Sequence, residues 1–207
     1  YIDPSTVIAG GHSQANEIKT LPNKHTHCLI KFANQGTLYF NDLRQFGYMQ
    51  IVTTQQLTDI KQKYGIEPLT KNFTLQSLTN IFSRRSTTLK SILLNQQIIA
   101  GIGNIYADEI CFASQIHPAT PANQLTPNQI KKIYTHTKKI INQAIKYRGT
   151  TTNNYRDSHG QKGNYSQFLQ VYGHTNQKCP RCRQAKIQKI RLVGRGTHYC
   201  PICQKLP

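Results

Sequence analysis

Residues 179–203 read CPRCRQAKIQKIRLVGRGTHYCPIC: two Cys-x-x-Cys turns, Cys179/Cys182 and Cys200/Cys203, with 17 residues between them. Each turn brings two thiolates to one metal ion, and two turns complete a tetrahedral four-sulfur shell, for which zinc is the best candidate. A shell with no open position holds structure and performs no chemistry. Four free or disulfide-bonded cysteines are the weaker reading of this spacing. Between the knuckles Ile187, Ile190 and Leu192 support a β-hairpin, and residues 178–207 carry eight Lys or Arg and no acid. A metal-stapled basic hairpin is a nucleic-acid tool.

The basicity reaches further. The chain has 207 residues, 26 Lys and Arg against 8 Asp and Glu, and a formal net charge of +18. That excess exceeds what solubility requires and points to a polyanionic partner. It is regional: residues 1–68 hold six bases and five acids, leaving 20 bases and three acids for 69–207. No run of 18 or more apolar residues occurs, and the N-terminus lacks a basic-then-apolar signal pattern. A membrane span and secretion are therefore not expected, and a cytoplasmic location is. Cys28 and Cys111, outside the knuckles, are expected as buried thiols. The chain opens at Tyr1 and its one Met is Met49, so the natural protein is expected to begin upstream.

Upstream of the knuckles, His27 to Phe40 reads as a hairpin. Cys28, Ile30 and Phe32 alternate, Asn34-Gln35-Gly36 turns, and Leu38 and Phe40 return. Phe46 to Val52 reads as a further strand, and the first 25 residues as loop. The composition shifts after Glu67-Pro68, a linker into helices. Thr126-Pro127-Asn128-Gln129 is a capping box with Pro at the first helical position, followed by Ile130, Ile133, Tyr134, Thr137, Ile141, Ala144 and Ile145 at helical spacing. Shorter helices are expected over Leu75–Phe82, Leu89–Asn95 and Asn104–Ser114, and a short strand over Phe168–Tyr172. The expected fold is α+β and multidomain: a β-rich part over 1–68, a helical part over 69–173 and a zinc-finger hairpin over 174–207.

Three weaker motifs remain. Gly101-Ile102-Gly103-Asn104 opens a helix whose first N–H groups are oriented to bind a phosphate, or else Asn104 is an ordinary N-cap and the glycines a tight turn. Arg44 and Phe46 lie two apart in what looks like an ordinary turn. Lys24 sits beside His25 and His27, unremarkable alone, although such a group suits a metal or a phosphate equally.

Taken in order, residues 21–27 (LPNKHTH), 41–47 (NDLRQFG), 101–107 (GIGNIYA) and 195–204 (RGTHYCPICQ) closely resemble the bacterial formamidopyrimidine-DNA glycosylase family, more than its relative endonuclease VIII. The resemblance covers essentially the whole chain. It implies an N-terminal β-sandwich, here partial, a helical domain with a helix-two-turn-helix motif, and a C-terminal zinc finger. It also implies a partner, duplex DNA containing oxidised bases or abasic sites, bound by a monomer. By resemblance Asn104 and Arg195 clamp phosphates flanking the lesion, and Lys24 supports catalysis at the phosphate beside the damaged nucleotide. Arg44 and Phe46 fill the gap left when that nucleotide flips out, offsetting part of the unstacking cost of a few kcal/mol. Asp157–Tyr165 corresponds to the loop covering the extruded base.

The implied reaction is excision of oxidised purines by an amine that attacks C1′ and forms an imine, followed by strand cleavage. The family's nucleophile is an N-terminal proline with a glutamate beside it. Neither is in this chain, and nor is the third wedge residue, a methionine, so the expectation is DNA binding without turnover. The 17-residue spacer is one longer than the family's usual, near Gln184. Two rival readings stand beside this one: an endonuclease VIII type enzyme for oxidised pyrimidines, and a non-enzymatic zinc-ribbon nucleic-acid binder.

Overall fold

The computed structural model describes residues 21–33, 36–151 and 161–206. The chain divides into two compact units, residues 1–53 with 147–167 and residues 54–146 with 168–207.

In the first unit, β1 (Thr26–Lys31) and β2 (Thr37–Asn41) pair antiparallel, Leu29 opposite Tyr39 and Lys31 opposite Thr37. Along β1 burial alternates with a period of two, as the apolar alternation requires. The middle of the expected turn, residues 34 and 35, lies outside the described residues, as does the N-terminal stretch up to residue 20. Cys28 is only half-buried, not sealed, because among the described residues the hairpin has two strands and no third beside it. The strand expected over Phe46–Val52 does not form; no ladder bond joins that segment to another among the described residues. Its alternating apolar side chains mimic a strand, yet Phe46, Tyr48, Met49 and Ile51 are exposed. Alternation predicts a covered face, but only a partner backbone makes a strand.

The second unit is built on helices. The first, α1 (Thr54–Gln62), was not legible: Leu57 and Ile60 are its two apolar side chains, too few to mark a period, and it buries no residue. The expected linker at Glu67-Pro68 is tied down instead, since Ile66 forms a parallel bridge with Ile99 and its carbonyl accepts from Ala100 N at 3.0 Å. The helices α2 (Leu75–Ser83), α3 (Leu89–Leu94) and α4 (Asn104–Ser114) lie where expected. So does α5 (Pro127–Lys146), whose capping box closes both ways: Thr126 N donates to Gln129 Oε1 (2.9 Å) and Gln129 N to Thr126 Oγ1 (3.3 Å). Leu78, Phe82, Leu89, Ile92, Leu93, Ile110 and Ile133 are sealed between these helices. With two turns between them, α3 and α4 form the helix-two-turn-helix. No helix among the described residues is long and apolar enough to cross a membrane.

The strand expected over Phe168–Tyr172 is replaced by a 3-10 turn, Tyr165–Phe168, and a loop. Its amides go elsewhere: Gln170, Val171 and Tyr172 donate to the Glu109 carboxylate at 2.9, 3.0 and 2.9 Å. A buried carboxylate has taken the place of a neighbouring strand. Beyond it, β3 (Gln188–Leu192) and β4 (Arg195–Tyr199) form the expected hairpin. A small core of Phe112, Val171, Cys179, Ile187 and Cys200 joins the knuckles to α4.

Candidate nucleic-acid interface and metal centre

The four cysteines converge. Their sulfurs all lie within 4.8 Å of one another, with Cys179–Cys203 at 3.9 Å and Cys182–Cys200 at 3.7 Å. A tetrahedron with Zn–S bonds of about 2.3 Å has edges of about 3.8 Å, and a disulfide would need about 2.05 Å. The donor set therefore fits one zinc ion and no disulfide. Burial first and then the neighbouring sulfurs push the Cys203 thiol up to about 12, while the backbone amides of Ala185 and Gln184 bring the Cys182 thiol down to about 6. A dication at the centre of the four sulfurs favours the thiolate form of each.

The hairpin held by these knuckles carries Arg195 into solvent. Val193 (φ 51°) and Gly194 (φ 70°) make its two-residue turn in the left-handed region, a geometry that matches strand twist. Arg195 pairs with Leu192 at the first position after that turn.

At α4 the N-cap is Gly103, which offers no side chain to the open N–H groups of the first turn. Asn104 is therefore not the cap. Its Nδ2 donates to the carbonyl of Gly196 at 3.0 Å, which sets the helix start directly beside Arg195 of the hairpin. An amide nitrogen carries two protons, so one remains for a ligand. The turn before it is stapled by Gln96, whose Oε1 accepts from Gly101 N (2.8 Å) and whose Nε2 donates to Ile102 O (2.9 Å). Gly101 needs its φ of 86°, but a Cβ added at Gly103 would meet nothing. Packing does not require glycine at 103, and the space before the helix is open to an anion.

Behind this surface lies a buried polar network. Lys90 Nζ donates to Asp108 Oδ1 (2.5 Å), Thr197 Oγ1 (2.7 Å) and Gly196 O (3.2 Å). Asp108 Oδ2 accepts from the His198 backbone at 2.8 Å and lies 3.0 Å from its Nδ1. One carboxylate thus ties α3 and α4 to β4, and Gly196 O receives both Lys90 and Asn104. Gln204 adds a second tie, accepting from Cys200 N and donating to Ile116 O, both at 2.9 Å. Sequence reading missed Lys90, Asp108, Glu109, His198 and Gln204. A signal was present: two of the three acids in residues 69–207 are the adjacent pair Asp108 and Glu109. Acids placed inside a strongly basic region are best explained by burial against cations and amides.

In the other unit, Lys24, Arg44 and Phe46 lie at one end of the β1–β2 hairpin. Lys24 is exposed in a turn closed by Asn23, whose Oδ1 accepts from His25 N and whose carbonyl accepts from Thr26 N, both at 2.9 Å. Asp42 accepts from Arg44 N (2.9 Å) and Gly47 N (2.6 Å), and its own N–H donates to His25 O (3.0 Å). The Arg44 guanidinium lies 5.7 Å from the centre of the Phe46 ring, which is 81% exposed. Of the stretch Asp157–Tyr165, residues 157–160 lie outside the described residues.

A family model described as the formamidopyrimidine-DNA glycosylase H2TH domain matches residues 64–156, and one described as a zinc finger found in FPG and IleRS matches residues 176–206. The chain is 42% identical to the formamidopyrimidine-DNA glycosylase of Pelotomaculum thermopropionicum over 187 residues, 89% of this chain and 67% of that one. It is 42% identical to the Listeria innocua enzyme over 184 residues, 88% and 67% of the two chains. Among solved structures, Lactococcus lactis Fpg bound to abasic-site DNA superposes with a TM-score of 0.80 at 38% identity, covering 88% of this chain and 67% of that one. The MutM (Fpg) protein of Thermus thermophilus gives 0.82 at 32%, covering 90% and 71%.

Proposed function

This chain belongs to the formamidopyrimidine-DNA glycosylase family, and from that premise we propose that its residues grip duplex DNA at a damaged or abasic nucleotide for base excision and strand cleavage. The observation that carries the reading is the Asn104–Gly196 hydrogen bond at 3.0 Å, which places an uncapped helix start beside Arg195. Asn104, through its second amide proton, and the Arg195 guanidinium hold two phosphates of one strand. Lys24 adds a further cation, and Arg44 with Phe46 occupies the space of the displaced nucleotide. Excision forms a bond from an amine to C1′ while the base leaves with the glycosidic electron pair. The residues named here hold the DNA for that step. Zinc, bound by Cys179, Cys182, Cys200 and Cys203, supplies rigidity and no chemistry.

One clamp within one chain needs no second copy, and we take the protein to act as a monomer on DNA in the bacterial cytoplasm. The deciding experiment compares affinity for an abasic-site duplex with that for the same undamaged duplex at one salt concentration. Tighter binding to the abasic site is expected; equal binding would return the protein to the zinc-ribbon class. The pyrimidine-directed alternative is not favoured, since the relatives named above are formamidopyrimidine-DNA glycosylases.

A further inference from the structure

We propose that the face of α5 bearing Lys132, Lys139 and Lys146, with Arg181 of the first knuckle beside it, is a second DNA surface. It takes the phosphate backbone of a duplex segment other than the one held by the clamp. The identity of the polyanion rests on the DNA-binding reading above.

The helix α5 has 20 residues and no Asp or Glu. Its three lysines recur every seven residues, so they stay within about 40° of one another and step about 10.5 Å along the axis. His136 and Gln143 fall between them on the same face. The buried stripe of Ile130, Ile133, Thr137, Ile140 and Ala144 points about 120° away. Lys139 and Lys146 are exposed and Lys132 partly so. A solvated helix face ordinarily interleaves signs in i, i+4 pairs. Of the three acids in residues 69–207, Asp157 lies outside the described residues, and Asp108 and Glu109 are buried and committed to Lys90, His198 and the 170–172 backbone. His136 registers the resulting field: burial first, then Lys139, Arg181 and Lys132, hold its imidazole below the ordinary 6.5. Among the described residues no ion pair joins these cations to an acid, and cations so gathered raise the energy of the free protein, which a polyanion relieves.

Two features select the occupant. The stripe presents only Lys, His and Gln, with no aromatic or aliphatic anchor of the kind that dominates protein–protein interfaces. Its spaced point charges suit an array of phosphates instead. Its place separates it from the clamp. Arg181 donates to Phe112 O at 2.7 Å and its guanidinium lies 4.3 Å from the Phe112 ring, at the C-terminal end of α4. Asn104 opens that helix eight residues earlier, about 12 Å away along the axis.

The test uses the full chain and the triple variant Lys132→Gln/Lys139→Gln/Lys146→Gln, with zinc content and circular dichroism confirming the fold. A short labelled abasic duplex is dissociated by increasing concentrations of unlabelled, undamaged duplex. The wild-type off-rate should rise several-fold with chase concentration, because a second duplex engages before the first departs. In the variant the off-rate should not depend on chase, with affinity for the labelled duplex within about twofold, as for solvated surface changes. A wild-type off-rate indifferent to chase overturns the proposal, as does acceleration that survives in the variant. So does a large affinity loss for the short duplex, which would put the stripe on the clamp's own DNA. Equal acceleration by polyglutamate would reassign the surface to acidic proteins. If the wild type showed no preference for the abasic duplex, the clamp reading would fail, while the chase dependence would still be readable.

Discussion

At the scale of single residues, Asn104 and Arg195 make different kinds of contact, and their variants should separate. Arg195→Ala should weaken duplex binding and lower the slope of log affinity against log salt by about 1, the loss of one phosphate neutralisation. An unchanged slope in a salt titration would remove Arg195 from the phosphate. Asn104→Asp should bind DNA more weakly than Asn104→Ala, since a carboxylate faces both the Gly196 carbonyl and the incoming phosphate with acceptors only. Affinities measured side by side check the order. Glu109 has a different task. Glu109→Gln places an N–H₂ against one of three backbone donors and should cost about 1–3 kcal/mol in denaturant unfolding, with one buried amide left unsatisfied. Asp42 controls the Arg44–Phe46 turn, and the Gly47 amide, its strongest partner, holds its carboxyl below the ordinary 3.8. A depressed pKa means the turn is supported above the unfolded value and released as pH falls through the folded one. The Gly47 amide resonance should therefore stay fixed down to pH about 4 and move only in stronger acid; movement near neutrality would contradict the bond.

At the scale of elements, the zinc hairpin and α4 act as one piece joined through Asp108 and Lys90. Stripping the zinc with a chelator should release β3 and β4, withdraw Arg195 and abolish tight DNA binding. The helical circular dichroism of α2 and α5 should largely remain, because their core of Leu78, Phe82 and Ile133 does not touch the metal shell. Survival of both the hairpin and the affinity would refute a structural zinc. Breaking the buried pair by Lys90→Met should cost about 3–5 kcal/mol, the penalty of leaving Asp108 charged and unpaired. Replacing both partners by apolar residues should cost less than the two single changes together, which a double-mutant cycle measures.

At the scale of the whole molecule, the formal charge of +18 is not uniformly available to DNA. Lys90 is sealed against Asp108 and Thr197. The count of bases in the sequence therefore overstates the electrostatic footprint. The sequence by itself determined the elements whose signals are local. The Cys-x-x-Cys pairs dictated a four-sulfur shell, the Thr126–Gln129 box dictated the start of α5, and the Gly101–Asn104 run dictated a helix opening. It did not reveal α1, whose two apolar side chains, Leu57 and Ile60, are too few to mark a period, and it made strands of Phe46–Val52 and Phe168–Tyr172, where apolar alternation exists without a partner ladder. Only the tertiary structure decided that Asn104 leaves the cap position to reach Gly196, 92 residues away along the chain. Only it decided that Glu109 satisfies three amides of a distant loop. Periodicity and capping act through neighbours a few residues apart and are written in the sequence. A hydrogen bond between remote segments depends on how whole elements come together, and no local pattern records it.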